Sequence, residues 1–292
     1  MTPTDYDFLR KLLKERSGLD LSADKQYLVE SRLLPVARKY GLGGISELVQ
    51  KIKAGSEEFA VHVAEAMTTN ETFFFRDRIP FDHLRELIVP ALLQTRASRR
   101  VLRIWSAACS TGQEPYSIAM CLREFGAALN GWRVEIVVTD LSQGVLEKSK
   151  AGIFSQFEVQ RGLPIQMLVK YFRQIGDMWQ INPDIRAMVQ YKQLNLLQDI
   201  SHLGTFDVIF CRNVMIYFDQ DTKVSVFKRL ARAMPDDGFL ALGAAETVVG
   251  LTDTFRPIAD RRGLYSPNLL RASPSIVPAA VAQSFKAAGT PK

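Results

Sequence analysis

The residues best placed to do chemistry fall in short stretches that follow apolar runs. After Val101-Leu102-Arg103-Ile104-Trp105 comes Ser106-Ala107-Ala108-Cys109-Ser110-Thr111-Gly112-Gln113-Glu114-Pro115-Tyr116-Ser117. Its small side chains let a ligand approach the backbone, and Pro115 pre-sets the first turn of a following helix. The plainer reading is an ordinary strand-to-helix turn. With Gly112 as its one glycine the string is not a dinucleotide GxGxxG, and it lacks the Gly-Lys-Ser/Thr ending of a phosphate loop. The next apolar run ends in Thr139-Asp140. A carboxylate at such a tip can accept hydrogen bonds from both ribose hydroxyls of an adenosine. The alternative is a helix cap by Asp140 or Ser142. A spacing of 26 residues from Glu114 to Asp140 fits a strand–helix–strand unit and favours the ribose role.

Further along, Asn195-Leu196 can edge an adenine, the amide reading the base and the leucine packing on its face. An asparagine in a polar loop is the competing reading. Arg212 and Asn213 follow the run Phe206-Asp207-Val208-Ile209-Phe210, where a reacting group would be held. Upstream, Thr68-Thr69-Asn70-Glu71-Thr72-Phe73-Phe74-Phe75-Arg76 joins two differently patterned regions. Three consecutive phenylalanines cannot share one core-facing helix stripe. Either some line a pocket or they glue the two regions together. Arg76 beside them can pair with a carboxylate in a partly dry site.

The elements that must hold these residues follow from periodicity. Residues 1–70 read as a helical domain punctuated by Gly18 and Gly41, and 71–99 as a linker and connecting helix. From 100 to 270, short apolar runs alternate with amphipathic stretches such as Asp221 to Met234. That pattern predicts an α/β doubly wound domain, a parallel sheet covered on both faces. Gly176 to Gln193 breaks the alternation, and Asn182-Pro183-Asp184 is a turn signal. A small antiparallel hairpin subdomain is therefore expected at about 173–193, turning at Asn182. Residues 271–292, rich in Ala, Pro and Ser, are expected to be a disordered tail.

Composition narrows the class. Hydrophobic residues make up 47% and charged residues 23%, as in ordinary globular proteins. No apolar run reaches the roughly 20 residues of a membrane span, and the first residues lack a signal-peptide core. Three cysteines without CxxC spacing read as reduced core thiols of a cytoplasmic protein. Three scattered histidines argue against a metal site. A net charge of +6 favours acidic partners without choosing among them. Lys25, Arg32 and Lys39, spaced by seven, would line one helix face that could guide docking. Against this, residues 1–67 carry ten basic and ten acidic side chains, so that stripe is equally a solvated surface.

On the strings TTNETFFFR (68–76), WSAACSTGQEPYS (105–117), NLL (195–197) and FCRNVMIYF (210–218), the chain resembles the CheR-type chemoreceptor glutamate methyltransferases from about Tyr6 to Tyr265. The resemblance implies a class I methyltransferase-like sheet, an N-terminal all-helical domain and a small inserted antiparallel β subdomain. It implies methyl transfer from S-adenosylmethionine to glutamate side chains of chemoreceptors, in the cytoplasm, during chemotactic adaptation. It assigns Asn70, Thr72, Arg76, Glu114, Asp140, Asn195, Leu196, Asn213 and Val214 to the cofactor, and places Arg76 and Tyr217 near the transferred methyl. Gln113 departs from the pattern, since family members often carry a second glutamate there. Some members also capture a receptor's C-terminal peptide on the inserted subdomain and share a longer, glycine-repeated loop. The stretch Phe172–Trp179 is short, with one glycine, so no such tether is expected.

A carboxylate with an ordinary pKa near 4.3 is already an ionised nucleophile, so neither a general base nor a metal is required. Arg76 and Tyr217 are then orienting groups, with Arg76 holding either the acceptor carboxylate or the carboxylate of the cofactor. A nucleic-acid methyltransferase is disfavoured because Arg212-Asn213-Val214-Met215 stands where Asn/Asp-Pro-Pro-Tyr/Phe would, and no cysteine follows a proline. A non-catalytic binder of the cofactor is the other rival.

Overall fold

The computed structural model describes residues 1–268; the tail expected at 271–292 lies outside them. Helix α1 (Pro3–Ser17) starts at a reciprocal cap: Asp5 N donates to Thr2 Oγ1 and Thr2 N donates to the Asp5 carboxylate, both at 3.1 Å. It ends at Gly18, whose φ of 76° is left-handed. Helices α2 (Gln26–Lys39), α3 (Ile45–Lys53) and α4 (Glu57–Met67) complete a bundle around the fully buried Leu9, Leu13, Val29, Leu33, Leu48 and Val63. A connector follows, α5 (Ile79–His83), a π-helical turn (Leu84–Ile88) and α6 (Val89–Thr95).

The second domain is a seven-stranded sheet. In chain order its strands are β1 (Val101–Ala107), β2 (Arg133–Asp140), β6 (Val189–Gln193), β7 (Val208–Cys211), β8 (Phe239–Leu242), β9 (Phe255–Pro257) and β10 (Leu264–Pro267). Their spatial order is β6-β2-β1-β7-β8-β10-β9, the first five parallel and β10 antiparallel to both β8 and β9. The antiparallel pair caps one edge of the parallel sheet that the apolar runs predict. Side chains alternate between two cores as a pleat requires. Leu102, Ile104, Val208 and Phe210 face one, while Trp105, Ala107, Ile209 and Cys211 face the other. Helices α7 (Gln113–Glu124), α8 (Gln143–Ala151) and α12 (Gln220–Arg232) follow β1, β2 and β7. The chain runs from β1 outward to β2 and β6, then returns to β7 on the other side of β1. Such a switch in order opens a crevice at the carboxyl ends of the central strands.

The inserted subdomain differs from the expected hairpin. It is a three-stranded antiparallel sheet, β3 (Ile153–Ser155), β5 (Met178–Ile181) and β4 (Phe172–Ile175), in that spatial order. Its hairpin turns at Gly176-Asp177, because Ile175 pairs with Met178 and Gly176 takes a left-handed φ of 57°. Asn182-Pro183-Asp184 is instead the start of the short helix α11 (Pro183–Arg186), with proline at its first position. That position suits proline as well as a turn does, since its missing N–H has no helical partner there. Residues 189–193 belong to the main sheet. Two short helices, α9 (Gln156–Gln160) and α10 (Ile165–Tyr171), separate β3 from β4.

Candidate active site

The helical domain closes one side of the crevice. Gly18 lies so near Phe218 that a Cβ there would sit 2.8 Å from its ring. Asp20 N donates to Tyr217 O (2.9 Å), Asn195 Nδ2 to Arg16 O (2.6 Å) and Gln143 N to Glu65 Oε1 (2.8 Å), while Lys14 pairs with Asp219 at 2.7 Å. The resulting cleft encloses about 1030 Å³, including the part open to solvent. Its walls come from the end of α1, the 67–76 linker and the loops after β1, β2, β6 and β7. All ten residues singled out from the sequence line it: Asn70, Thr72, Arg76, Glu114, Asp140, Asn195, Leu196, Asn213, Val214 and Tyr217.

Asp140 sits at the carboxyl tip of β2. Ser110 N (2.8 Å) and Ser142 N (3.0 Å) donate to its two oxygens, and no cation pairs with it among the described residues. Burial pushes its carboxyl above the ordinary range, against the pull of those amides. Each oxygen keeps a lone pair for a further donor. The cap and ligand readings of Asp140 are thus compatible: Oδ1 caps the turn into α8 and both oxygens border the cleft.

Glu114 is different. Ser106 Oγ donates to one oxygen and Arg212 Nη1 to the other, both at 2.8 Å. Arg212 also donates through Nη2 to Arg76 O (2.8 Å) and Asp77 (2.7 Å), with its side chain 1% exposed and Nε lacking a partner. Arg212 therefore ties the loop after β7 to the loop after β1 and to the backbone of Arg76. The Arg76 guanidinium donates to Glu71 O (2.6 Å) and stacks 5.6 Å over Phe73, without a carboxylate partner among the described residues. The cleft wall carries strained backbone at Ala108 (φ 61°), Ser110 (φ 51°) and Asn213 (φ 57°), a concentration typical of functional sites. Gly112 (φ 100°) allows the β1 loop to press on α8, where a Cβ would fall 2.4 Å from Ser149 Oγ.

Several expectations change here. Phe74 and Phe75 are buried in the catalytic-domain core and Phe73 lies under Arg76 and Arg161; none of the three borders the cleft. Phe74 packs on Phe154 and Phe172 of the inserted subdomain and Phe75 on Phe81, so these side chains neither line the pocket nor join the helical domain to the catalytic one. In the basic stripe, Arg32 is spent inside the molecule, donating to Met67 O (2.6 Å), Thr68 O (3.0 Å) and Thr69 Oγ1 (2.9 Å). It fixes the linker leading to Asn70 and Thr72 and is no free docking charge. Asn195 spends its amide on Arg16 O and on Leu197 N (3.0 Å), so it clasps the two domains while bordering the cleft. Cys109 lines the wall, but burial raises its thiol well above the ordinary value, as do Asp140 and Glu114, so it stays protonated.

Residues the sequence reading passed over also meet here. Leu141 and Leu194 line the cleft with Leu196 and Val214 as apolar wall, beside the end of α1. Glu246, in the loop after β8, accepts the backbone amides of Asn213 (2.8 Å), Val214 (2.9 Å), Met215 (2.7 Å) and Gly243 (2.7 Å). It follows the apolar run Gly238–Leu242, so the same strand-end rule that marks Asp140 and Asn213 points to it. An anionic acceptor, apolar walls, the Asn213 side-chain amide and a guanidinium without a carboxylate partner together fit an adenosyl group bearing a charged amino-acid tail.

Known proteins agree with this architecture. The family model described as "CheR methyltransferase, all-alpha domain" matches residues 4–68, and "CheR methyltransferase, SAM binding domain" matches 70–264. The chain is 40% identical over 264 residues to chemotaxis protein methyltransferase 1 of Pseudomonas aeruginosa, covering 89% of this chain and 96% of that protein. It is 39% identical to chemotaxis protein methyltransferase Cher2 of Pseudomonas putida, at 89% and 96% coverage. It is likewise 39% identical to the chemotaxis protein methyltransferase of Vibrio anguillarum, at 89% and 95%.

Proposed function

The chain belongs to the CheR methyltransferase family, whose domains use S-adenosylmethionine in chemotaxis, and from that premise we propose that its acceptors are glutamate side chains on chemoreceptors. The observation that carries this reading is a cleft whose wall includes Arg76 for the cofactor's carboxylate and the Tyr217 hydroxyl as an orienting group, and that none of the three histidines lines as a base. An acceptor that is already ionised needs orientation and dehydration and does not need a base.

When bound, the cofactor supplies an electrophilic methyl on a sulfonium. This chain's residues do the rest. Asp140 takes the ribose hydroxyls, Asn195 and Leu196 border the base, and Asn70, Thr72, Glu114, Asn213 and Val214 complete the enclosure. Arg76 holds the cofactor's carboxylate. A guanidinium clamped on the attacking oxygen would stabilise the ground state more than the transition state and slow transfer. The Tyr217 hydroxyl orients the acceptor. Substrates are the helical cytoplasmic regions of receptors, engaged without a C-terminal peptide tether, since the β4–β5 turn is only Gly176-Asp177. On this reading the protein works in the cytoplasm, without a metal, on protein and not nucleic acid. Among the described residues no helix is long and apolar enough to cross a membrane.

The test is incubation with S-adenosylmethionine and receptor cytoplasmic fragments, followed by peptide mapping. Methyl groups on glutamates support the proposal; methylation confined to lysine, arginine or nucleic acid, or none, refutes it. Arg76→Ala should weaken S-adenosylhomocysteine binding in calorimetry, whereas Tyr217→Phe should lower kcat with that affinity kept.

A further inference from the structure

Glu246 is a buried carboxylate, 8% exposed, that no cation neutralises among the described residues. Four backbone N–H groups do so instead. Oε2 accepts from Asn213 (2.8 Å) and Gly243 (2.7 Å), and Oε1 from Val214 (2.9 Å) and Met215 (2.7 Å). Three of these amides are consecutive and lead into the one-turn helix Met215–Tyr217, so the carboxylate caps that turn from another strand's loop. Asn213 is held left-handed at φ 57°, a conformation that costs an asparagine energy unless its surroundings enforce it.

We infer that Glu246 is a positioning residue for the methyl-transfer site, fixing Asn213, Val214 and Tyr217 in the geometry that receives the cofactor. It does not line the cleft; of the residues whose amides it holds, Asn213 and Val214 do. The spacing is tight on the other side as well. A Cβ at Gly243 would stand 2.8 Å from both Asn213 Nδ2 and Glu246 Oε2, so the clamp needs glycine there. Glutamine does not replace glutamate in this role. Its amide nitrogen would turn a donor toward two N–H groups that need an acceptor, releasing half of the clamp. Aspartate keeps the charge and the acceptors with a shorter reach.

The inference rests on the cofactor-binding reading of this cleft and is independent of which acceptor is methylated. Calorimetry with S-adenosylhomocysteine on folded Glu246→Gln should show affinity lowered by about tenfold or more, with Glu246→Asp recovering part of the loss. Gly243→Ala should lower it in the same direction. A merely structural role would lower the unfolding midpoint and leave the affinity of the folded protein unchanged. Wild-type affinity in folded Glu246→Gln would therefore overturn the inference. A second measurement covers a variant that fails to fold. In the wild-type protein the amides of 213–215 and 243 should resist hydrogen exchange, and free exchange at all four would equally overturn it. If the wild type binds the ligand but methylates no glutamate, the proposed acceptor fails and the inference about Glu246 stands.

Discussion

The two ends of the central sheet both bury carboxylates but neutralise them in opposite ways. At the amino-terminal edge, Asp207 accepts from the Arg96 and Arg99 guanidinium groups and from Arg103 N (2.9 Å), and Arg96 pairs again with Asp237. At the carboxyl-terminal edge, Asp140 and Glu246 are held by backbone amides without a cation. Charge paired with charge is closed to further partners and serves cohesion. A carboxylate bound only by amides keeps acceptor capacity, as Asp140 does, or organises a loop, as Glu246 does. The exception at this edge is Glu114, which Arg212 pairs with as it does with Asp77.

Substitutions at the two ends should separate. Asp207→Ala leaves buried Arg96 and its neighbours short of a counter-charge and should cost about 3 kcal/mol of folding stability. Its folded fraction should bind S-adenosylhomocysteine as the wild type does, which urea titration and calorimetry would establish. Asp140→Ala should do the reverse, weakening that ligand by about 2–4 kcal/mol, or more than tenfold, with stability little changed. Its calorimetric titration has a clear failure: unchanged affinity would reduce Asp140 to a cap and erase the contrast.

Arg32 probes the boundary between cohesion and chemistry. Removing its three hydrogen bonds to 67–69 should cost about 1–2 kcal/mol of stability and loosen the approach to Asn70 and Thr72. Arg32→Ala should therefore lower ligand affinity roughly threefold by calorimetry. An effect only on receptor KM would restore Arg32 to the docking stripe.

The smallest effects concern pH. Because the folded carboxyl of Asp140 is raised, its contribution to stability is present below the ordinary 3.8 and fades as pH rises through the folded value. Ligand affinity runs the other way, since ribose hydroxyls need the ionised acceptor. Affinity should begin to fall on acidification at a pH above 3.8, and Asp140→Asn should flatten that dependence in titrations across the acid range. Asp219 is lowered, first by its bond to Lys14. The stability this domain-to-domain contact provides is thus present above the ordinary 3.8 and is lost below it.

The cleft was legible because strand-end loops are written locally. Ser106–Ser117, Asp140, Asn195-Leu196 and Arg212-Asn213 each follow an apolar run, and the sheet's topology brings those ends together. What was not legible depends on distant pairing. Glu246 acquires its amides from a neighbouring strand's loop 31 to 33 residues earlier, and Arg32 reaches a linker 35 to 37 residues later. The hairpin turn is not legible because Asn-Pro-Asp serves both a turn and a helix start, and only packing decides between them.

On the proposed function this cleft delivers a methyl group to a carboxylate, and the bond formed can be tested directly. Receptor fragment labelled with the methyl of S-adenosylmethionine by this protein would be exposed to mild alkali. A glutamyl methyl ester must hydrolyse, so the label should leave as volatile methanol, and labelling should fall by about tenfold or more when Asp140→Ala replaces the wild type at limiting cofactor. Label that stays on the protein through alkali, as a methylated amine would, contradicts it.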